Sequence, residues 1–305
     1  MQTILGSGGA IGTPLAKELK TFTDKIRLVA RTPKQVNDDD ELFPADLTRA
    51  DEVDKAVAGS EVVYLTVGLE YNIKVWRRDW PLVMSNVINA CLKHNAALVF
   101  LDNVYMYAAS EIPHMTEQSR IAPPSQKGKV RAALHEMIFA AVNGRGLKAL
   151  VARSADFYGP KASTSPLGIT VLEKFQKKQK AFWQADVGKT HSFTYTPDAA
   201  RATALLGNTA DAYGEVWHLP TSSERLTGKD FIEMVAREMG ITPRYFVMSK
   251  FLMTVGGLFV PIVRELKEML YQYDQHYFFD SSKFEKRFSF RPVSYAEGIK
   301  QMVKG

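Results

Sequence analysis

Short apolar runs alternate with helical patterns along the first half of the chain. TILG (residues 3–6), IRLVAR (26–31), EVVYLTVG (61–68), ALVFLDN (97–103) and LKALVARS (147–154) have strand length and strand composition. Between them, GTPLAKELKTF (12–22), RADEVDKAVAG (49–59), WPLVMSNVINACLKHN (80–95) and SQKGKVRAALHEMIFAAV (125–142) space apolar residues three and four apart, the period of a helix with one buried face. Strands that alternate with helices predict βαβ units, a parallel sheet and helices on both of its faces. The strand runs lack alternating polar positions, as expected of strands covered on both sides. After about residue 155 the rhythm changes. A helix is predicted near 166–179, a strand at HSFTY (191–195), a helix from Pro197, a strand at EVWHL (215–219) and a helix from about Thr227, followed by an aromatic-rich helical end. The expected fold class is α/β: a doubly wound parallel sheet over residues 1–155, then a mixed segment, 156–305. That segment holds a smaller, mostly helical substrate lobe and elements that return to complete the sheet.

Composition changes this picture little. The 305 residues are 46% apolar and 24% charged, with a net charge of +6. This is ordinary globular usage and enough chain for a large core. Lysine clusters such as KFQKKQK (174–180) read as a solvated helix face rather than a nucleic-acid patch; no nucleic-acid partner is expected. The single cysteine, Cys91, allows no internal disulfide, and the six histidines show no ligand-like spacing, so no metal is expected. The strand pattern opens at the second residue, so no signal peptide and a cytoplasmic location are expected. The longest apolar run, FLMTVGGLFVPIV (251–263), is shorter than the roughly 20 residues of a bilayer span. It contains two glycines and a proline, and it reads as a buried helix plus turn rather than a membrane anchor.

Chemistry enters at GSGGAIG, residues 6–12, directly after the first strand and directly before the first helix. Its glycines at 6, 9 and 12 suit, in turn, a tight turn, close approach of backbone to a pyrophosphate, and close helix–strand packing. The helix start offers free N–H groups to the phosphates. A Rossmann-type dinucleotide site is expected, with Gly6, Ser7, Gly8, Gly9, Ala10, Ile11 and Gly12 as its phosphate loop. The second strand ends in LVARTPK. Ala30 stands where an NAD site usually carries an acid, and Arg31 follows, able to grip a 2′-phosphate in two places. NADP is therefore expected ahead of NAD, the alternative for Arg31 being a solvent arginine in a βα turn. In PADLTRADEV, Asp46 and Leu47 follow the third strand, where Asp46 could meet the adenine amine; helix capping by Asp46 or Thr48 is the other reading.

These segments resemble the extended short-chain dehydrogenase/reductases, the NAD-dependent epimerase/dehydratase family, over nearly the whole chain. TILGSGGAIG is similar to the family's cofactor loop. EVVYLTVG resembles its fourth strand, whose end (Thr66, Val67, Gly68) would lie against the cofactor ribose. ALVFLDNVYMYA resembles its fifth strand, which normally runs into Ser-Ser-x-x-Val-Tyr-Gly. VARSADFYGP resembles the Arg-Pro-x-x-x-Tyr-Gly-Pro signature, bringing Ser154 and Ala155 to the cofactor. FTYTPDAARA resembles the Val-x-Asp-x-Ala-x-Ala helix start. The resemblance implies a small-molecule substrate, a carbonyl or hydroxyl compound or a nucleotide sugar. It also implies a homodimer formed through the helices at 79–95, which carries Trp80 and Cys91, and 125–143.

The departures from the family pattern matter more. Family members carry a serine or threonine on strand five and a Tyr-x-x-x-Lys on the next helix, the tyrosine exchanging a proton with the substrate. Here Asn103, after Asp102, takes the first position, and Lys127 and Arg131 take the tyrosine and lysine positions. At 100° per residue, Val130, Leu134, Met137, Ile138 and Ala141 form the apolar stripe of that helix. Lys127 falls inside its arc, Arg131 at its edge, and Lys129 and Glu136 opposite. Inward cations need partners, because an unpaired buried charge costs several kcal/mol. Cofactor or substrate would serve for Lys127 and Arg131; so would an interior carboxylate such as Asp102 or Asp156. Lys127, Arg131, Asn103 and Tyr107 are the catalytic candidates, with Asn103 and Arg131 also counted as cofactor contacts. Tyr107 aligns with a family tyrosine that usually packs. Tyr105, just after strand five, is a further proton-donor candidate without family precedent, and Tyr71 and Tyr195 could line the pocket.

Two functions fit. One is an NAD(P)-dependent oxidoreductase or epimerase/dehydratase-like enzyme with an atypical active site. The other is a catalytically degenerate NADP-binding sensor or scaffold, which loss of the tyrosine predicts.

Overall fold

The computed structural model describes residues 1–162, 164–259 and 261–305, with backbone alone at 255–259 and 261–262. In chain order the elements are β1 (Gln2–Leu5), α1 (Gly12–Leu19), β2 (Ile26–Ala30), β3 (Glu41–Pro44), α2 (Ala50–Val57), β4 (Val62–Leu65), α3 (Ile73–His94), β5 (Ala97–Asp102), α4 (Gln126–Arg145), β6 (Ala149–Arg153), β7 (Asp156–Tyr158), α5 (Glu173–Gln176), β8 (Ala181–Gln184), β9 (Phe193–Tyr195), α6 (Thr196–Gly207), β10 (Val216–His218), α7 (Gly228–Glu238), β11 (Tyr245–Met248), α8 (Lys250–Phe259), α9 (Pro261–Lys267), α10 (Ser282–Phe288) and α11 (Tyr295–Lys304). They fall into two compact units, one of residues 1–103, 129–153 and 199–219, the other of 104–128, 154–198 and 220–305.

The first unit is built on one seven-stranded sheet in the order β10-β6-β5-β4-β1-β2-β3. Every pairing in it is parallel. The fold is Rossmann-type α/β, as the alternating pattern predicts. Ile4, Leu5, Leu28, Val29, Val63, Leu65, Val99, Phe100 and Val151 are fully buried, which is why the central strands read as unbroken apolar runs. β3 and β10 are the edge strands, and β3 is the more exposed. Its Pro44 and its exposed Glu41 and Leu42 suit an edge that no further strand joins. Chain order reverses between β1 and β4, both of which pair within the middle of the sheet, so the crevice of a doubly wound sheet opens at the end of β1.

The third helix begins at Ile73, seven residues or about two turns before the start predicted at Trp80. Asn72 caps it, its side chain accepting from the Lys74 N–H, and Pro81 lies inside the helix rather than in its first turn. The α4 angular reading holds. Lys127 and Arg131 are buried with Val130, Leu134 and Ile138, and Lys129 and Glu136 are exposed.

The second unit has an aromatic core. Tyr158, Trp183, Phe193, Phe231 and Tyr295 pack together, and Gly298 of α11 lies so close to Tyr158 that a Cβ there would sit 2.3 Å from its hydroxyl. The helix predicted at 166–179 is a wide helical turn over Gly168–Leu172 running into α5; Lys178 ends it in a left-handed conformation. The apolar run 251–263 is divided between α8 and α9. Its first two side chains are not buried, Phe251 being 74% and Leu252 52% exposed; Val260, and the side chains of 255–262, lie outside the described residues. No described helix is long and apolar enough to cross a membrane.

Candidate functional site

The glycine loop, residues 6–12, leaves β1 in the first unit. Gly6 has φ +105°, and a Cβ on it would stand 2.4 Å from the Val67 backbone, so the turn admits only glycine. A Cβ on Gly12 would stand 2.6 Å from the Gly6 carbonyl oxygen; that contact lets α1 start hard against the loop. Gly9 differs from both. Its Cβ would meet nothing nearer than 3.8 Å, and that at the Gly6 carbonyl, so its face is open. The Gly6 and Ser7 N–H groups are spent on the Val29 carbonyl. Among the described residues none accepts from the N–H groups of Gly8, Gly9, Ala10 or Ile11, and no side chain caps α1. Four open donors at the start of a helix form an anion cradle, and the loop fits the pyrophosphate of a dinucleotide.

The neighbouring strand ends close the cradle. Thr66, just past β4, donates its hydroxyl to the Gly6 carbonyl at 3.2 Å and its N–H to Leu5 at 2.9 Å, tying Thr66–Gly68 to the loop. Arg31 is exposed at the end of β2. Asp46 accepts from the Thr48 N–H at 2.9 Å and the Thr48 hydroxyl at 2.8 Å. Those bonds, with the nearby charges of Arg31 and Arg49, hold its carboxyl below the usual carboxylate range. Asp46 therefore makes a local turn before α2, whose cap position is Arg49; neither Asp46 nor Thr48 caps that helix. Leu47 is buried beside it, its carbonyl accepting from Asn86.

Arg131 is held at the centre of the same unit. Its guanidinium lies 4.2 Å from the Trp80 ring centroid and 4.9 Å from that of Trp76, and Nη1 is 3.5 Å from Asp102. Arg153 reaches the other Asp102 oxygen at 3.5 Å. Burial pushes the Asp102 carboxyl up, while the two arginines and the Asn103 N–H pull it down; the net direction is upward. Asn103 is half-buried at the end of β5. His135, one turn past Arg131, has its imidazole pushed down to about 4 by burial and the Arg153 charge. Tyr71 sets its ring edge-on to Trp76, 5.7 Å between centroids.

The remaining candidates belong to the second unit. The Lys127 ammonium is fully buried and bonded to Glu265 and, at 2.7 Å, Glu268. An interior ion pair thus forms at Lys127, with α9 and the residue after it rather than with Asp102 or Asp156, and it is Arg131 that pairs with Asp102. Tyr107 is fully buried and bridged to Ile121. Ser154 is buried, and the Ala155 N–H donates to Thr194 at 3.0 Å. Tyr195 is a buried core residue whose phenol is pushed up by burial and by Asp198.

Sequence reasoning missed three groups. The glutamates at 265 and 268 are three apart across the end of α9, a spacing that could have flagged them as partners for an inward lysine. Trp76 and Trp80 are four apart on α3, a stripe that could have been read as a platform. Asp156, His191 and Tyr273 also meet, and no local motif marks that meeting.

Residues 3–219 match the family profile described as NAD dependent epimerase/dehydratase family. A search of curated proteins finds no match. Solved structures of like fold include a dTDP-glucose 4,6-dehydratase double mutant from Streptomyces venezuelae with NAD and DAU bound (TM-score 0.82, 16% identity, 100% of this chain and 96% of that one). Others are a Thermus thermophilus UDP-glucose 4-epimerase complex with NAD (0.76, 19%, 100% and 98%) and a Bacillus cereus UDP-glucuronic acid 4-epimerase with NAD (0.80, 16%, 100% and 98%).

Proposed function

The chain belongs to the NAD-dependent epimerase/dehydratase family, and on that footing we propose that it is an NAD(P)-dependent enzyme of epimerase, dehydratase or reductase type. Its substrate is a small hydroxyl or carbonyl compound, with nucleotide sugars the leading class. The observation that carries this is the cradle of four open N–H groups over an open Gly9 face. The substrate class draws support from proteins of like fold that are named for dTDP- and UDP-sugars.

In this reading the N–H groups of Gly8 to Ile11 bind the pyrophosphate, Arg31 the ribose 2′-phosphate and Asp46 the adenine amine. Thr66 to Gly68, Asn103 and Arg131 line the nicotinamide end. NADP is preferred to NAD, because Ala30 offers no acid to a 2′-hydroxyl and Arg31 is solvent-facing. The dinucleotide supplies hydride transfer when bound. The chain must then supply a proton, and Lys127 can do so only by leaving two carboxylates.

That engagement of Lys127 favours the second reading, an NADP-binding sensor without turnover. One experiment divides the two. NADPH and NADH binding are measured by fluorescence, and nicotinamide absorbance is then followed with UDP-glucose, dTDP-glucose and a panel of ketones and aldehydes. Binding with turnover supports the enzyme. Binding without turnover supports the sensor. Binding of neither cofactor defeats both.

A further inference from the structure

The second unit presents an apolar patch bordered by cations. β8 and β11 pair as a parallel two-stranded sheet that sets Phe182 opposite Phe246. Ala181 and Trp183 turn into the aromatic core, so Phe182 and its partner Phe246 face outward by strand alternation. Their rings stack, 6.0 Å between centroids and 30° between planes, and Phe246 stays 45% exposed. α8 begins two residues after β11, and its first turn carries Phe251 and Leu252, 74% and 52% exposed. That turn is fixed. Ser249 Oγ accepts the Leu252 N–H at 3.3 Å, and the Ser249 carbonyl accepts the Met253 N–H at 2.9 Å. Met253 is buried, so at 100° per residue Phe251 stands on the opposite side of the helix.

The cations lie in the same two stretches, residues 173–184 and 241–254. Lys174, Lys177, Lys178 and Lys180 lead from α5 into β8, and Arg244 leads into β11. Lys180 and Arg244 directly precede the paired Ala181 and Tyr245, so each strand starts with an exposed cation. The Lys174 ammonium lies 6.0 Å from the Phe182 ring centroid. Lys250, which opens α8, pairs with Asp274 at 2.5 Å. The one acid of the two stretches, Glu173, is bonded to Lys177. Lys174, Lys178, Lys180 and Arg244 pair with no carboxylate among the described residues. Large apolar side chains gathered on a surface mark a place that another surface covers, and the charge beside them says that the cover is anionic.

We propose that this face docks on an anionic phospholipid surface. Phe182, Phe246, Phe251 and Leu252 meet the boundary between headgroups and acyl chains, and the cations meet the lipid phosphates. A second copy of the same face is disfavoured, because docking would bring like charges together. Single-stranded nucleic acid stacks its bases on open rings, whereas the Phe182 ring is already engaged by Phe246 and the Lys174 ammonium. Interfacial contact combines aromatic and aliphatic side chains with lysine and arginine. It needs no spanning helix, and the described residues contain none. The proposal is independent of the dinucleotide-dependent reading: it assigns a place of work to the chain, whichever cofactor is bound.

The test is co-sedimentation of the full chain with vesicles of phosphatidylcholine alone, or of phosphatidylcholine and phosphatidylglycerol in equal parts. The chain should sediment with the mixed vesicles, stay in solution with phosphatidylcholine alone, and be released from the mixed vesicles by added salt. Phe251→Ser with Leu252→Ser should lower partitioning roughly tenfold or more. Lys180→Glu with Arg244→Glu should do the same. All four side chains are exposed, so melting temperatures close to the parent's are expected for both pairs. Phe246→Ser reads the sheet half of the patch, and the α8 pair keeps the proposal testable if that variant folds poorly. Lys286→Glu with Lys304→Glu reverses two exposed cations elsewhere in the unit and should leave partitioning nearly unchanged. No sedimentation with the mixed vesicles overturns the proposal, as does equal sedimentation with phosphatidylcholine alone. So does a loss for the Lys286 and Lys304 pair equal to that for Lys180 and Arg244, or an α8 pair within about twofold of the parent. Binding of poly(U) by a chain that ignores both vesicles would give the face to nucleic acid instead.

Discussion

The guanidinium carbon of Arg131 lies over the Trp80 ring, 4.2 Å from its centroid. It stands where the family pattern places a lysine, and the exchange is not conservative. A planar, weakly hydrated cation sits over two indoles, which suits a guanidinium better than a compact ammonium. Asp102 then receives a fixed partner on either side, from Arg131 and Arg153.

Removing one partner leaves a buried carboxylate short of charge. Arg131→Met is expected to destabilise the protein by about 3 kcal/mol, with part recovered when Asp102→Asn is added. Urea denaturation of the two single variants and the double variant measures the coupling; additive losses would show that the pair carries none.

His135 makes stability depend on pH. Its imidazole, pushed down to about 4, binds its proton less readily folded than unfolded, where it titrates near 6.5. Its contribution is therefore complete above about pH 6.5 and is lost as pH falls towards 4. Denaturant midpoints at several pH values in this window should fall more steeply for the parent than for His135→Gln. Parallel slopes would exclude His135 as a source of the acid sensitivity.

The phosphate-loop glycines separate folding from binding. Gly6→Ala imposes a side chain at φ +105° and 2.4 Å from backbone, so it should lower stability by about 2 kcal/mol or more. Gly9→Ala meets open space in the free protein, so its melting temperature should barely change while NADPH affinity falls. A Gly9→Ala protein that binds NADPH normally would show that the open face is not the pyrophosphate side.

How much of this was legible in the sequence follows from the range of each signal. The sheet and its phosphate loop are local. Strand runs, helical spacing and glycines at 6, 9 and 12 lie within a few residues of one another, and each states its requirement where it stands. Helix geometry also placed Lys127 and Arg131 inward. It could not name their partners, because Glu265 and Glu268 follow Lys127 by some 140 positions and Trp76 precedes Arg131 by 55. The start of α3 was missed for a related reason. Pro81 imitates a first-turn proline, while the cap that begins the helix is a lone Asn72. Asp156, His191 and Tyr273 carry no mutual spacing at all, since only the folded chain brings β7, the approach to β9 and the segment after α9 together.

Arg31 tests cofactor choice most directly. Its side chain is exposed at the end of β2, its charge acts on Asp46, and the preceding Ala30 offers nothing to a ribose hydroxyl. A charge-assisted bond to a phosphate contributes about 1.5–3 kcal/mol, or roughly a 10- to 100-fold change in Kd. Arg31→Ala should therefore weaken NADPH binding by that factor and leave NADH nearly unchanged. Ala30→Asp should do the reverse, adding an acceptor for the 2′-hydroxyl and a repulsive charge against the 2′-phosphate. Fluorescence titration of both cofactors against the parent and the two variants reads the outcome. Equal losses for NADPH and NADH in Arg31→Ala would reduce the arginine to a general anion contact and remove the basis for an NADP preference.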